Sequence, residues 1–322
     1  MTIHDRRGLR AAAADILTKT PGQKQLVLLW VGVSGVLTLL TGFLSYLLST
    51  GIAGTGGLSG IGLRSILTTA QQILSTALTV VLPFWALGYQ HAMLRASRGG
   101  QVGKATLLEG FRRFGPGLRH MLLQSVLLGG MFMFVFYVAL MILAMTPLAA
   151  PALAALEPIA EPMLTDPTWL PDEAATMVLL EAMLPLILCC TALALLVLVP
   201  ILYRLRFSQL RLMDDPQCGA LEAMNTSFRI TRGKCIELFK LDLGFWWYWI
   251  LTGLITVVSR GDSLLPELGI VLPINPDVAF WGFYVAAIVL EIAVYALFHN
   301  RVSVTYALYY DSLLPKPQQP SL

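Results

Sequence analysis

Long apolar runs separated by polar connections dominate the pattern of this chain. Each run is continuous rather than alternating, which is typical of a helix surrounded by lipid and not of a half-buried strand. A helix needs about 20 apolar residues to cross the hydrocarbon core of a bilayer. Six stretches reach this length, at about 25–48, 71–94, 118–145, 176–203, 239–258 and 279–303. The pattern therefore predicts an all-α membrane protein with six transmembrane helices.

The composition agrees with a surface that is largely covered by lipid. Of the 322 residues, 56% are hydrophobic and 13% are charged, whereas charged residues make up about a quarter of a typical soluble domain. So few charges cannot cover a soluble protein of this size.

The placement of the basic residues predicts the orientation. Twenty of the 22 Lys and Arg residues fall in the N-terminal tail, the second and fourth connections and the C-terminal end. Only Arg64 and Arg260 fall on the other side. Because basic residues accumulate on the cytoplasmic side, we predict a multi-pass protein of the cytoplasmic (inner) membrane with both termini in the cytoplasm.

Each large cytoplasmic segment contains an amphipathic pattern just before a span. In three segments, around 6–17, 104–114 and 221–232, apolar positions share one helical face and bases share another. Such helices lie in the membrane interface with their cations near anionic headgroups. The pattern suggests a unit of one interfacial helix and a two-span hairpin, present three times. Similar constraints acting on each segment would produce the same pattern without duplication.

The outer connection at 147–172 is rich in Pro and Ala. Proline lacks a backbone donor and disfavours a regular helix, so we expect an irregular loop that contains at most a short helix over 152–156. We interpret residues 1–322 as a single polytopic membrane domain.

Glu291 and Glu181 lie inside predicted spans and are candidate functional residues. Glu291 sits near the middle of the sixth span, where an ionisable group costs about 3 kcal/mol or more and is a candidate functional group. A Glu that is protonated or hydrogen-bonded and fixes helix packing is the simpler interpretation, and a proton or substrate site is the alternative. Glu181 lies about one turn from the outer end of the fourth span, where it can reach water.

Basic and aromatic residues at the predicted cytoplasmic boundary are candidates for contact with lipid headgroups. Trp and Tyr anchor spans at headgroup depth, and Arg and Lys pair with anionic lipids. The candidates are Arg112, Arg113, Arg229, Arg232, Lys234, Trp246 and Trp247.

No catalytic or cofactor motif emerges from the sequence. It lacks a phosphate-binding loop, a His-Glu-x-x-His motif, a Gly-x-Ser-x-Gly motif and a dinucleotide fingerprint. His91, His120 and His299 fall near the cytoplasmic boundary, but no two of them share a helical turn. We therefore predict a protein that is not an enzyme, with no catalytic residue, cofactor or metal, and no nucleic-acid partner.

The second half of the chain carries an ordered set of short motifs. They include Val199-Pro200-Ile201, Met213-Asp214-Asp215-Pro216, Arg232-Gly233-Lys234, Glu237-Leu238-Phe239-Lys240-Leu241-Asp242-Leu243-Gly244-Phe245 and Thr305-Tyr306-Ala307-Leu308-Tyr309-Tyr310. This set resembles an uncharacterised bacterial integral membrane family, domain of unknown function 975. The resemblance implies a six-span bacterial membrane protein, and it supplies no activity and no site residues.

Two function hypotheses remain. The first is a non-enzymatic accessory or assembly module that binds anionic lipid headgroups, a protein partner or another copy of itself. The alternative is a small-solute or ion transporter or channel that uses Glu291. Transporters often contain broken helices, and the sequence shows no evident break.

Overall fold

The computed structural model describes residues 6–50, 58–165, 172–267, 269, 270, 273 and 275–315. These residues form helices and short connections, with no strand among them. The α-helices are α1 (Arg6–Lys19), α2 (Gln23–Thr50), α3 (Leu58–Ser97), α4 (Lys104–Arg112), α5 (Phe114–Ala144), α6 (Ala150–Thr165), α7 (Glu173–Leu205), α8 (Ser208–Asp214), α9 (Ala220–Ile230), α10 (Cys235–Leu243), α11 (Trp246–Val258), α12 (Gly261–Glu267), α13 (Pro276–Val294) and α14 (Asn300–Leu313). A π-helical turn, Tyr295–His299, joins α13 to α14. The predicted all-α class is confirmed.

The long apolar helices account for the predicted spans. Those long and apolar enough to cross a membrane are Gln23–Leu48, Ser65–Ser97, Phe114–Ala144, Ala174–Asp214 and Val278–Leu313. The pair α10 and α11 adds a sixth if it counts as one span. The protein is therefore a multi-pass membrane protein with five to six candidate spans.

The fifth predicted span is a broken helix, which corrects the expectation of unbroken spans. The axes of α10 and α11 differ by 70°, and Gly244 and Phe245 lie between them. Arg10 Nη1 donates a hydrogen bond to the carbonyl oxygen of Gly244 at 2.8 Å. A partner more than 200 residues away thus satisfies a backbone group at the break, and no local sequence pattern reveals it.

The outer connection forms more helix than its prolines suggested. Helix α6 covers 16 residues and contains Pro158 and Pro162. Pro151 lies in the first turn, where a missing N–H costs nothing, and the alanines between the prolines favour helix. The prediction of an irregular segment is therefore wrong over Ala150–Thr165.

The chain forms two compact units. One contains Arg119–Arg206, and within it α6 packs against α7. The other contains Met1–Leu118 and Phe207–Leu322, and within it α3 packs against α2, α4, α8 and α14, while α11 packs against α13. The three predicted interfacial segments fall on helices α1, α4 and α9. Their position at a membrane interface, the three-fold repeat and the single-domain assignment stay predictions.

Helices α3 and α4 touch through their backbones. A Cβ atom on Gly88 would lie 1.9 Å from the carbonyl oxygen of Leu107, and one on Gly110 would lie 2.1 Å from that of Phe84. Both glycines are buried. Glycine is required at these positions because any side chain would push the two helices apart.

We expect Gly88→Ala to lower the free energy of unfolding by about 1–3 kcal/mol, the usual cost of overpacking a tight core. Gly32→Ala, in α2, is the matched control, because a Cβ there meets no atom within 4 Å. Thermal unfolding of the detergent-solubilised protein measures the difference. Equal melting temperatures for the two variants would show that the contact between α3 and α4 is not tight.

Candidate functional site

Glu291 lines a cleft of about 540 Å³ between α2, α11 and α13. Its side chain is half-buried. The next Arg or Lys along the chain is Arg301. It lies ten residues, or about 15 Å of helix, after Glu291. The other polar residues that line the cleft are Thr38, Trp249, Thr252, Thr256, Ser259, Tyr284 and Tyr295.

Small residues and one tyrosine shape this cleft. The Tyr284 hydroxyl donates to the carbonyl oxygen of Thr38 at 2.8 Å and ties α13 to α2. Gly42 makes room for the Tyr284 ring, since a Cβ there would lie 2.8 Å from it. Gly253 faces open space on the cleft wall. The cleft is therefore a space beside two helices, α2 and α13, that a hydrogen bond holds together.

The hydroxyl groups of the cleft present acceptors. Thr38 donates to Ser34 O at 2.9 Å, Thr252 to Trp249 O at 2.9 Å and Thr256 to Thr252 O at 3.2 Å. Ser259 donates to Thr256 O at 2.8 Å. A hydroxyl has one proton and two lone pairs. Each of these groups uses its proton in a hydrogen bond to the backbone, so only its lone pairs are available to other partners.

The Glu291 carboxyl group has no hydrogen-bond or salt-bridge partner within the part of the chain that the structure describes. Intramembrane carboxyl groups normally pair with another polar group or face water. Glu291 lines the cleft, so this carboxyl group is accessible from that space.

An aromatic cluster adjoins the cleft at Tyr295, one turn after Glu291. The Trp30 ring stacks on the rings of Tyr89, Tyr295 and His299, with centroid distances of 4.6, 5.7 and 5.0 Å. His299 Nδ1 lies 2.7 Å from the Tyr248 hydroxyl oxygen, and the ring centroids of Tyr248 and Tyr295 are 6.3 Å apart. Polar aromatic side chains thus lie next to one another between the cleft and His299.

The π-helical turn supplies part of this cluster. It contains both Tyr295 and His299, whose rings stack at 4.9 Å. A π-helical turn widens the helix and is frequent at functional sites. Directly after it, Asn300 accepts from the Tyr89 hydroxyl at 2.5 Å and donates to the carbonyl oxygen of Gln23 at 3.1 Å.

A second cleft provides a comparison. It has about 530 Å³ between α2 and α3, and its polar lining comes from Thr, Ser and Gln side chains such as Gln71. Gln71 Nε2 donates to Ser45 Oγ there at 2.6 Å. No charged side chain lines it, so the carboxyl group distinguishes the Glu291 cleft.

The remaining predicted site residues do not line this cleft. Glu181 is exposed on α7, in the other unit. Arg112, Arg229, Arg232 and Trp246 are exposed, as headgroup contact requires, while Trp247 packs edge-on against Phe298 with centroids 4.5 Å apart. Lys234 donates to Glu237 at 2.9 Å.

Arg113 has a different environment from the other predicted headgroup residues. Its guanidinium donates to the carbonyl oxygens of Asp215 and Cys218 at 3.0 and 3.1 Å. Arg113 therefore holds the turn after α8. The prediction of contact with lipid rests on the exposed residues Arg112, Arg229 and Arg232.

A second polar cluster surrounds Arg98 at the end of α3. Its guanidinium binds the Asp214 and Asp311 carboxylates, with 3.1 Å to Asp214 and 2.6 Å to Asp311. The Tyr310 hydroxyl donates to Asp214 at 3.2 Å. The hydrogen bonds to Asp214 and then Asp311 raise the pKa of Arg98. Gly99, with φ of +78°, ends the helix here.

The histidines do not converge. His91 Nε2 lies 2.7 Å from a Glu109 carboxylate oxygen, and Arg95 shares that carboxylate at 3.0 Å. His299 belongs to the aromatic cluster. Among the described residues, no three His, Cys, Asp or Glu side chains lie together as metal ligands would.

The comparison with protein families finds one matching family. The family described as "Protein of unknown function (DUF975)" matches residues 1–316. The chain belongs to this family. The match extends the DUF975 resemblance from the second half to nearly the whole chain. No curated protein and no solved structure matches it.

Two of the DUF975 motifs in the second half meet in the Arg98 cluster. Asp214 and Asp215 of one motif and Tyr310 of another contact Arg98, Arg113, Arg211 or each other. They hold α3, α8 and α14 together, which is a structural role. Sequence reasoning missed Arg98 and Asp311, and it also missed the one-sided row Thr252, Thr256 and Ser259. The spacing of that row by four and three residues was the available signal.

We expect Asp214→Asn to lower the free energy of unfolding by about 1–3 kcal/mol, because a partly buried charge pair loses one charge. The side chains of Asp214 and Arg98 are 14% and 43% exposed. Lys19→Met is the control, since its pair with Asp15 is 73% and 59% exposed and should contribute at most about 0.5 kcal/mol. Unfolding in mixed micelles gives both values, and equal effects would contradict a structural role for the Arg98 cluster.

Proposed function

We propose that this DUF975 protein is a non-enzymatic transporter or channel for a small monovalent cation or the proton, with Glu291 as its intramembrane binding site. The observation that carries the proposal is the Glu291 carboxyl group in an acceptor-lined cleft. Five hydroxyls of the lining spend their protons on backbone carbonyls, so the ligand has to supply positive charge or hydrogen-bond donors.

The end of α11 adds to the preference for a cation. Thr256 and Ser259, at the C-terminal end of this short helix, line the cleft. The last carbonyls of a helix lack intrahelical partners and carry about half a negative charge. Helix ends at membrane depth coordinate cations in transporters built from broken helices, and α11 follows such a break.

The hydrogen-bonded groups next to the cleft support passage of a proton. Tyr295 lies on the cleft wall, the Tyr248 ring is 6.3 Å from it, and the Tyr248 hydroxyl is hydrogen-bonded to His299. Chains of ionisable and hydroxyl groups relay protons in membrane pumps and transporters. The cleft therefore has a polar route on the side of Arg301.

The second candidate function is an accessory module that binds anionic lipids or an acidic partner on its predicted cytoplasmic side. The observation in its favour is the exposure of Arg112, Arg229 and Arg232 close in sequence to exposed apolar residues such as Leu221 and Phe239. Cations beside apolar surface match the headgroup region of an anionic leaflet.

Glu291→Gln should reduce cation flux by about tenfold or more, since that factor corresponds to roughly 1.4 kcal/mol of lost binding. The measurement uses the full-length protein in liposomes with a luminal pH dye, under an imposed proton or ammonium gradient. Glu181→Gln is the control and should retain wild-type flux, because Glu181 lies outside the cleft. Unchanged flux in a folded Glu291→Gln variant would rule out the proposal.

Gly253→Leu should also block flux while leaving the carboxyl group in place, because its side chain would grow into the cleft. Gly282→Leu is its control, since a Cβ at Gly282 also meets open space but that residue does not line the cleft. Flux that survives Gly253→Leu would place the path elsewhere.

The accessory function predicts a different sensitivity. Arg229→Glu with Arg232→Glu should remove most co-purifying anionic lipid or partner, because reversed charges repel anionic surfaces. Mass spectrometry of the gently solubilised protein measures this. If the double variant retains the same lipids and proteins as the wild type, the exposed arginines do not bind them.

A further inference from the structure

Three arginines line one small pocket beside the helix break. The pocket has about 380 Å³ and lies between α1, the start of α11 and α14. Arg7 and Arg10 come from the first helix and Arg301 comes from the last. The remaining lining residues are Ala11, Ala14, Gly244, Phe245 and Trp247, so no acidic side chain from the described residues lines the pocket.

Tertiary packing brings these charges together. α1 packs against α14, which sets Arg7 and Arg10 beside a residue nearly 300 positions away. Arg10 is held at the wall by its hydrogen bond to Gly244 O at 2.8 Å, and its Cζ lies 5.8 Å from the Phe245 ring centroid. A pocket lined by three arginines favours a bound anion over a cation.

We propose that this pocket binds a phosphate group, either the headgroup phosphate of an anionic lipid or that of a soluble phosphate ester. Guanidinium groups bind phosphate oxygens through paired, charge-assisted hydrogen bonds. The first turn of α11 begins at Trp246, and its backbone N–H groups add a preference for anions. Trp247 on the wall is the kind of aromatic residue found at headgroup depth.

This phosphate site is separate from the Glu291 cleft and does not depend on the proposed cation function. The two share only α11, whose first turn lines the pocket and whose later turns line the cleft. The site also differs from the exposed arginines of α4 and α9, because its charges converge on one pocket.

The test measures ligand binding to the full-length protein in detergent by native mass spectrometry. The probes are phosphatidylglycerol, glycerol phosphate and inorganic phosphate. Arg7→Gln with Arg301→Gln should weaken binding by about tenfold or more, because two charge-assisted pairs are lost. Arg10 is left in place because it also holds the helix break. Lys19→Gln with Lys24→Gln removes the same charge at two exposed positions outside the pocket and should change binding less than about twofold.

Ala11→Leu separates the pocket from general charge. It keeps all three arginines, favours helix at an exposed position of α1, and fills the pocket, so it should also weaken binding by about tenfold. Retention of phosphatidylglycerol alone assigns the site to a lipid headgroup, and equal binding of glycerol phosphate assigns it to a soluble ester. Both support the proposal. It is overturned if no probe binds, if the Ala11→Leu protein binds as the wild type does, or if the two double variants lose binding equally.

Discussion

The hydrocarbon core of a membrane offers no hydrogen-bond partners, and this constraint shapes both the helices and the cleft. Every backbone group at that depth needs a partner within the protein, so the apolar runs are helices. The same constraint acts on hydroxyls. Thr252, Thr256 and Ser259 donate to carbonyls of their own helix, and the cleft that they line is consequently rich in acceptors. The negative electrostatic character of the Glu291 cleft thus follows from the hydrogen bonds that its hydroxyl groups donate to backbone carbonyls.

Departures from regular helix occur where other groups compensate. The break between α10 and α11 has a carbonyl that accepts from Arg10. The π-helical turn in the last long helix places Tyr295 and His299 against Trp30, and aromatic stacking supports the widened turn. Both irregularities border a candidate site, the first at the arginine pocket and the second at the cleft. Irregular backbone at functional sites is common in membrane proteins because it exposes polar groups that a regular helix hides.

The end of the larger unit that holds the Arg98 cluster is built differently, from charge pairs. Arg98 joins α3 to α8 and α14 through Asp214 and Asp311, and the close glycine contact fixes α4 against α3. Residues of the DUF975 motifs in the second half contribute to this cluster. The motifs that contain Asp214 and Tyr310 therefore describe how the helices are joined. The Glu291 cleft uses residues outside the DUF975 motifs. The arginine pocket does so as well, apart from the turn at Gly244 and Phe245.

The sequence alone determined the membrane class, the positions of the apolar helices and the carboxyl group of Glu291 near the middle of a span, since each is a local property of composition and spacing. It also located α1, α4 and α9, because amphipathic spacing is local. It could not determine that α6 is helical, because the free-energy cost of a proline depends on where in the helix that proline lies. Only the tertiary structure decided the rest. The break at Gly244, the Arg98 cluster and the pocket of Arg7, Arg10 and Arg301 depend on contacts between residues 100 to 300 positions apart, which no local pattern encodes.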